Sequence, residues 1–304
     1  MKKMLQFAFL SFFLFVLFSC SNTGKKDNFG VLGPDDQIAG KAVVTAKKIE
    51  TGRYENGAPK GYKYVSPDGD TVYAVESIDS KGIKTIVEGK IPDGLIVQYY
   101  DKGNIAAEYN YNAGRFEGVV KEYYPNNNVA SVRNYKAGEL HGPLKEYYPN
   151  KIIKEEASYA NGLLSGVVRK YSDTGTLLSR AEYKDGELNG VFKEFFVNGK
   201  TKIEIEYMNG KREGFRREFD SSGVLLAEFN YSRDKLEGIS KKFYEDGSIQ
   251  TIMNFSNNLQ HGETKIFSNN NSEIPIYIDT YVKGKLVKRQ AFSNKGELIF
   301  TLNY

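Results

Sequence analysis

The sequence predicts an all-β chain, an elongated single-sheet solenoid of stacked 24-residue β-hairpins with atypical caps. Three observations carry this. Glycine recurs at Gly94, Gly118, Gly142, Gly166, Gly190, Gly214, Gly238 and Gly262, each 24 residues after the last, a true internal repeat. An aromatic ring follows each of these glycines five residues on, as Tyr99, Tyr123, Tyr147, Tyr171, Phe195, Phe219, Phe243 and Phe267. The composition agrees: 22 Tyr and 19 Phe with no Trp, and 30 Gly against 8 Pro, suit short strands joined by tight turns.

The chain of 304 residues opens on Met1-Lys2-Lys3 and an apolar run from Met4 to Phe18. That run is shorter than the roughly 20 residues of a spanning helix and reads as a secretory signal, residues 1–19. Its end, Leu17-Phe18-Ser19-Cys20, resembles the lipobox of bacterial lipoproteins, which implies lipid on Cys20 and a chain held at a membrane without spanning it. Cys20 is the only cysteine, so an internal disulfide and a cysteine-built zinc site are both excluded. Residues 20–40, rich in Gly, Lys and Asp, read as a flexible tether. Loss of Lys2 and Lys3 leaves 40 basic residues against 38 acidic ones, a balance that does not suit a nucleic-acid binder.

Residues 41–93 read as irregular cap repeats, with Gly57 to Gly61 imitating a turn and a longer hairpin over residues 70–93. Residues 94–287 hold eight units. In each, a second glycine series (Gly114, Gly138, Gly162, Gly186, Gly210) and a third (Gly103, Gly175, Gly199, Gly223, Gly247) mark turns. Their replacements Asp234, Asn258, Asn127 and Asn271 tolerate positive φ. Between turns the pattern alternates, with Ile203, Ile205 and Tyr207 on one face and Lys202, Glu204 and Glu206 on the other. Residues 288–304 read as a C-terminal cap, since terminal units of a solenoid must seal its ends. Two strands per unit give eight units a length of about 75 Å.

Gly190 to Glu213, with Phe195-Phe196, Asn198-Gly199, Tyr207 and Asn209-Gly210, resembles the variant MORN repeat of bacterial proteins. Many proteins of that family are catalogued as YwqK-like antitoxins. The resemblance spans at least residues 94–284 and implies a repeat fold that presents an extended surface, with an antitoxin or immunity role as one expectation.

Candidate site residues come from the period. Three residues after the leading glycines stand Lys121, Lys145, Arg169, Lys193, Arg217, Lys241 and Lys265. Stacked at about 10 Å, this file reads either as a solvated structural ladder or as a strip for anionic lipid or glycan. Glu108, Glu156, Glu204 and Glu228 on the second strand stand on the opposite face or within screening reach. Tyr100, Tyr124, Tyr148, Phe196 and Tyr244 form a second aromatic file, suited to packing or to a ligand.

His141 and His261 share an exposed turn position, and Asp68-Gly69-Asp70 reads as a plain turn. Glu155 and Glu156, adjacent on a strand, face opposite ways. No catalytic constellation, metal set or cofactor motif emerges. The expectation is a non-catalytic lipoprotein of a bacterial cell envelope, on the outer membrane of a two-membrane cell. It would serve as a repeat scaffold for a protein partner; the alternatives are neutralising a partner toxin and binding anionic lipid or glycan.

Overall fold

The computed structural model describes residues 45–269 and 273–304; the expected signal, tether and Cys20 lie outside them. The described residues form a single sheet of 27 strands, without helices, as the period predicts. Neighbouring strands pair antiparallel along the whole array, from Gly94–Tyr99 to Leu298–Asn303.

The N-terminal cap departs from that plan. Strands β1 (Ala46–Arg53), β2 (Pro59–Val65), β3 (Val72–Ile78) and β4 (Lys84–Gly89) form a meander. It runs away from the array, because β1 itself pairs in parallel with β5 (Gly94–Tyr99). Only residues 90–93 join β4 to β5, and from Gly89 to Gly94 an extended chain reaches about 18 Å. A flat sheet would need about 19 Å for the four interstrand steps alone, so the cap curls. Ile91 turns into the space this encloses and packs with Ala46, Tyr64, Ala74, Ile96 and Tyr111, the larger of two buried apolar clusters.

Within the repeats, counting the leading glycine as position 1, position 3 pairs with position 16 and position 4 with position 15. Alternation therefore sorts the side chains onto two faces. Positions 3, 5, 14, 16 and 18 form what we call the tyrosine face, where Val120, Leu144, Val168, Ala157 and Ala181 are buried. Phe116 bridges consecutive position-18 rings there, 4.9 Å from Tyr111 and 5.1 Å from Tyr135. The tyrosine face turns polar toward the C-terminus, where Ser240, Thr264 and Asp279 are buried.

Positions 20 and 21 form two-residue turns in which both residues have positive φ, the type I′ geometry that matches strand twist. The second is glycine except at Asp234 and Asn258, which hold φ 69° and 72°. The first is Ala113, Ala137, Asn161, Asp185, Asn209, Arg233, Asn257 or Lys283, at φ 48 to 54°. In six of the eight turns the residue before the leading glycine, position 24 of the preceding repeat, answers the strain by accepting a hydrogen bond from that residue's N–H. Glu117 does so for Ala137, Glu213 for Arg233 and Glu237 for Asn257, each at 2.8 Å. His141 and His261 fill the same role through Nδ1, at 3.4 and 3.5 Å.

Candidate functional site

The opposite face carries positions 2, 4, 6, 15 and 17, and the sequence-predicted cations stand along it as position 4. They are not a row of free charges. Lys121 lies 4.0 Å from Glu108, Lys145 3.1 Å from Glu156, Lys193 3.3 Å from Glu204 and Arg217 2.8 Å from Glu228. The cause is register: each position-4 residue stands between position 15 of its own unit and that of the unit before. Ion pairs this exposed are worth about 0.2–1 kcal/mol each, but together they cancel much of the field the file would project.

The cancellation fails at three places. Arg169 faces Arg180 across the strand, and the Glu156 on its other side is engaged by Lys145. Lys241 faces Ile252, while Glu228 is held by Arg217. Neither Arg169 nor Lys241 has a carboxylate within 4.0 Å among the described residues. Lys265 stands between Ile252 and Ile278, and its ion-pair partner is the exposed Glu263 two residues back, at 3.8 Å.

Two apolar rows flank the cations. Position 2 gives Val119, Pro143, Val167, Val191, Phe215 and Ile239, with Pro143, Phe215 and Ile239 exposed. The row lies beside position 17, where Asn110, Asn134 and Asn254 donate to the next unit's position-2 carbonyl at 2.7, 2.6 and 3.0 Å. Position 6 gives the aromatic row. Tyr123 donates to Glu108 at 2.6 Å and Tyr171 to Glu156 at 3.1 Å. Burial first, then the carboxylate each one meets, holds both hydroxyls above the usual phenol range.

The second aromatic file has a structural use. The hydroxyls of Tyr100, Tyr124, Tyr148 and Tyr244 each donate to the position-6 carbonyl of the next unit, at 2.6 to 2.9 Å. Where the file breaks, the side chain caps its own turn instead: Asp220 accepts from the N–H groups of Ser222 and Val224. At the first break, Ser172, an open hollow of about 530 Å³ remains between Tyr148, Pro149, Asn150, Asp173 and Leu178. Glu155 and Glu156 do face opposite ways, toward Lys170 and Lys145.

Reading the cations alone missed the position-2 row and the change of position 15 from Glu to Ile. Both were available by aligning the units in register, since Ile252 stands where Glu228, Glu204 and Glu156 do.

The MORN repeat variant model matches residues 92–113, 116–137, 140–161, 164–185, 188–209 and 236–257. It passes over the last unit and the one between residues 209 and 236, which carries Arg212 and Arg216 at sites that are apolar in most copies. Arg212 lies 4.2 Å from the Tyr231 ring and 3.1 Å from Asp234, and Arg216 lies 5.7 Å from the Phe229 ring.

Among solved structures, the chain is similar to the Photorhabdus luminescens Tc holotoxin pore with the TccC3-D651A mutation. The identity is 9% and the TM-score 0.16, over 82% of this chain and 18% of that one. A second is TcdB2-TccC3 without its hypervariable C-terminal region, at 12% identity and TM-score 0.11, over 82% of this chain and 19% of that one. The chain thus spans less than a fifth of either. No curated protein matches it. Six units of the chain are thus repeats of the MORN repeat variant family, and the sheet is built on their period.

Proposed function

We propose that this protein is a non-catalytic scaffold of a bacterial cell envelope, held to a membrane by lipid on Cys20, that binds a protein partner along its cation-bearing face. The observation that supports this most is the file of position-2 side chains, Val119 to Ile239, lying beside a row of ion pairs. It offers a long partner one apolar contact about every 10 Å, and repeat surfaces bind through many modest contacts of this kind. Position 2 bonds to its neighbours through the backbone, so its side chains vary freely without unpairing the sheet.

The test is affinity capture of the lipidated protein from its native envelope in mild detergent, beside the Phe215→Asp/Ile239→Asp variant, with mass spectrometry of the bound proteins and of the N-terminal peptide. A stoichiometric protein that the wild type retains and the variant releases is the expected result, with diacylglycerol-modified Cys20. Identical bound proteins in both samples would overturn the assigned face, and an unmodified Cys20 would overturn the anchor.

A further inference from the structure

We propose that Lys241 and Lys265, with Ile239, Ile252 and Ile278 around them, form a docking strip for an extended polypeptide segment that carries a carboxylate at every third residue. The inference rests on the scaffold reading and names the chemistry of its partner. Along the earlier units four of the five position-4 cations of this face, all but Arg169, meet position-15 glutamates. From Lys241 onward position 15 is Ile252 and then Ile278, so Lys265 stands between two isoleucines, and Lys241 stands between Ile252 and a Glu228 already engaged by Arg217. Isoleucine here does not serve the sheet's own electrostatics, because it cannot make the ion pair that Glu108, Glu156, Glu204 and Glu228 make at the same position. Ile239, an exposed apolar residue at position 2, stands two residues before Lys241 on the same face.

The spacing selects the ligand's form. Equivalent positions in successive units lie two strands apart, about 9.6 Å. Three residues of an extended chain span about 9.9 Å and three of a polyproline II helix about 9.3 Å. A segment lying along the array axis therefore sets its residues i and i+3 over Lys241 and Lys265. Its intervening residues fall over Ile252. A flat anionic membrane fits less well, because the carboxylates of Glu228 and Glu263 border the two lysines and would face the same surface. A narrow chain over the position-4 and position-15 file meets both lysines and leaves Glu263, at position 2, to its side.

The experiment uses the full-length protein and two fluorescein-labelled peptides of identical composition, (Glu-Pro-Pro)4 and (Glu-Glu-Pro-Pro-Pro-Pro)2, followed by fluorescence anisotropy at low ionic strength. The expected result is binding of the first at least about tenfold tighter than the second. The Lys241→Gln/Lys265→Gln variant weakens it about tenfold and lowers its salt dependence. Lys121→Gln/Lys145→Gln, which changes two paired cations, leaves it within about twofold.

Equal affinity for the two spacings, indifference to Lys241 and Lys265, or absence of binding would each overturn the proposal. So would retention on phosphatidylglycerol vesicles that depends on these lysines without peptide binding, which would assign the strip to a membrane. Running Lys241→Gln/Lys265→Gln in the envelope capture separates the two readings. A partner lost with Phe215→Asp/Ile239→Asp but kept with the lysine variant sinks this inference and leaves the scaffold standing. Peptide binding with no captured partner supports the strip and sinks the scaffold.

Discussion

Asp279 offers a measurable test of what holds the C-terminal units. Its side chain is 1% exposed on the tyrosine face, and Arg289 from the next strand clamps it with two bonds, Nε to Oδ1 at 2.7 Å and Nη2 to Oδ2 at 2.6 Å. Arg289→Met leaves a buried carboxylate with no cation. Breaking a buried pair this way costs about 3–5 kcal/mol. The Arg289 side chain is 34% exposed, so water already reaches the pair and the expected loss lies near 3 kcal/mol. Each unit touches only its neighbours, so the loss is local. Amide hydrogen exchange should accelerate across residues 262–303 and stay unchanged across 94–160, read by mass spectrometry at fixed pH. Arg289→Met/Asp279→Leu, which removes the charge as well, should recover about 2 kcal/mol. A loss under about 1 kcal/mol for the single variant, or no recovery in the double, would refute the assignment.

Two further outcomes follow from the turns and the cap. Ala137 holds φ 52° where glycine is at ease, so Ala137→Gly should stabilise the array by about 0.5–1 kcal/mol in urea melts; a destabilisation would contradict the strain argument. Lys48 is buried between β2 and β5, with its ammonium 4.0 Å from the Tyr62 ring centroid and 4.9 Å from that of Tyr109. Burial first, and then the charge of Lys84, lowers its pKa from 10.5 to about 8. The folded state thus disfavours the charged form, so the penalty is fully present below pH 8 and fades as pH rises from there toward 10.5. Wild-type stability should rise by about 2 kcal/mol between about pH 7 and 9.5, and Lys48→Met should flatten that slope. An equal slope in the variant would assign the effect to another group.

The repeat was legible because its physics is local and periodic. Glycine at position 21 and the tyrosine at position 18 recur whatever the partner strand is, so the hairpins and their stacking could be read directly. Position 20 was harder: Ala113, Ala137, Arg233 and Lys283 carry positive φ without a residue type that announces it, and their compensation comes from position 24 of another unit. The pairing of β1 with β5 left no local trace, since it joins segments about fifty residues apart and its evidence is Ile91, one apolar residue in a short connection. At the candidate site the cations were visible from sequence, but their neutralisation depended on cross-strand register. A file of seven cations becomes four lysine or arginine pairs with glutamate across the strands, a same-strand pair at Lys265, and two residues without one.

The same periodicity explains why one face can change without loss of the fold. Each unit is tied to the next by backbone ladders and by side-chain ties: the position-7 tyrosine hydroxyl and position-24 acceptor at turns, and the position-17 asparagine on the strand. None of these uses the side chains at positions 2, 4 or 15. Nor does the array depend on a thick core, since the tyrosine face accepts Ser240 and Thr264 where Val120 and Leu144 stand in other units. Position 15 can therefore pass from glutamate to isoleucine at the cost of one exposed ion pair, about 0.2–1 kcal/mol, while the hydrogen-bonded frame stays intact. Selection acting on a bound partner needs no larger freedom than that to turn a neutralised stretch of the face into a cationic one.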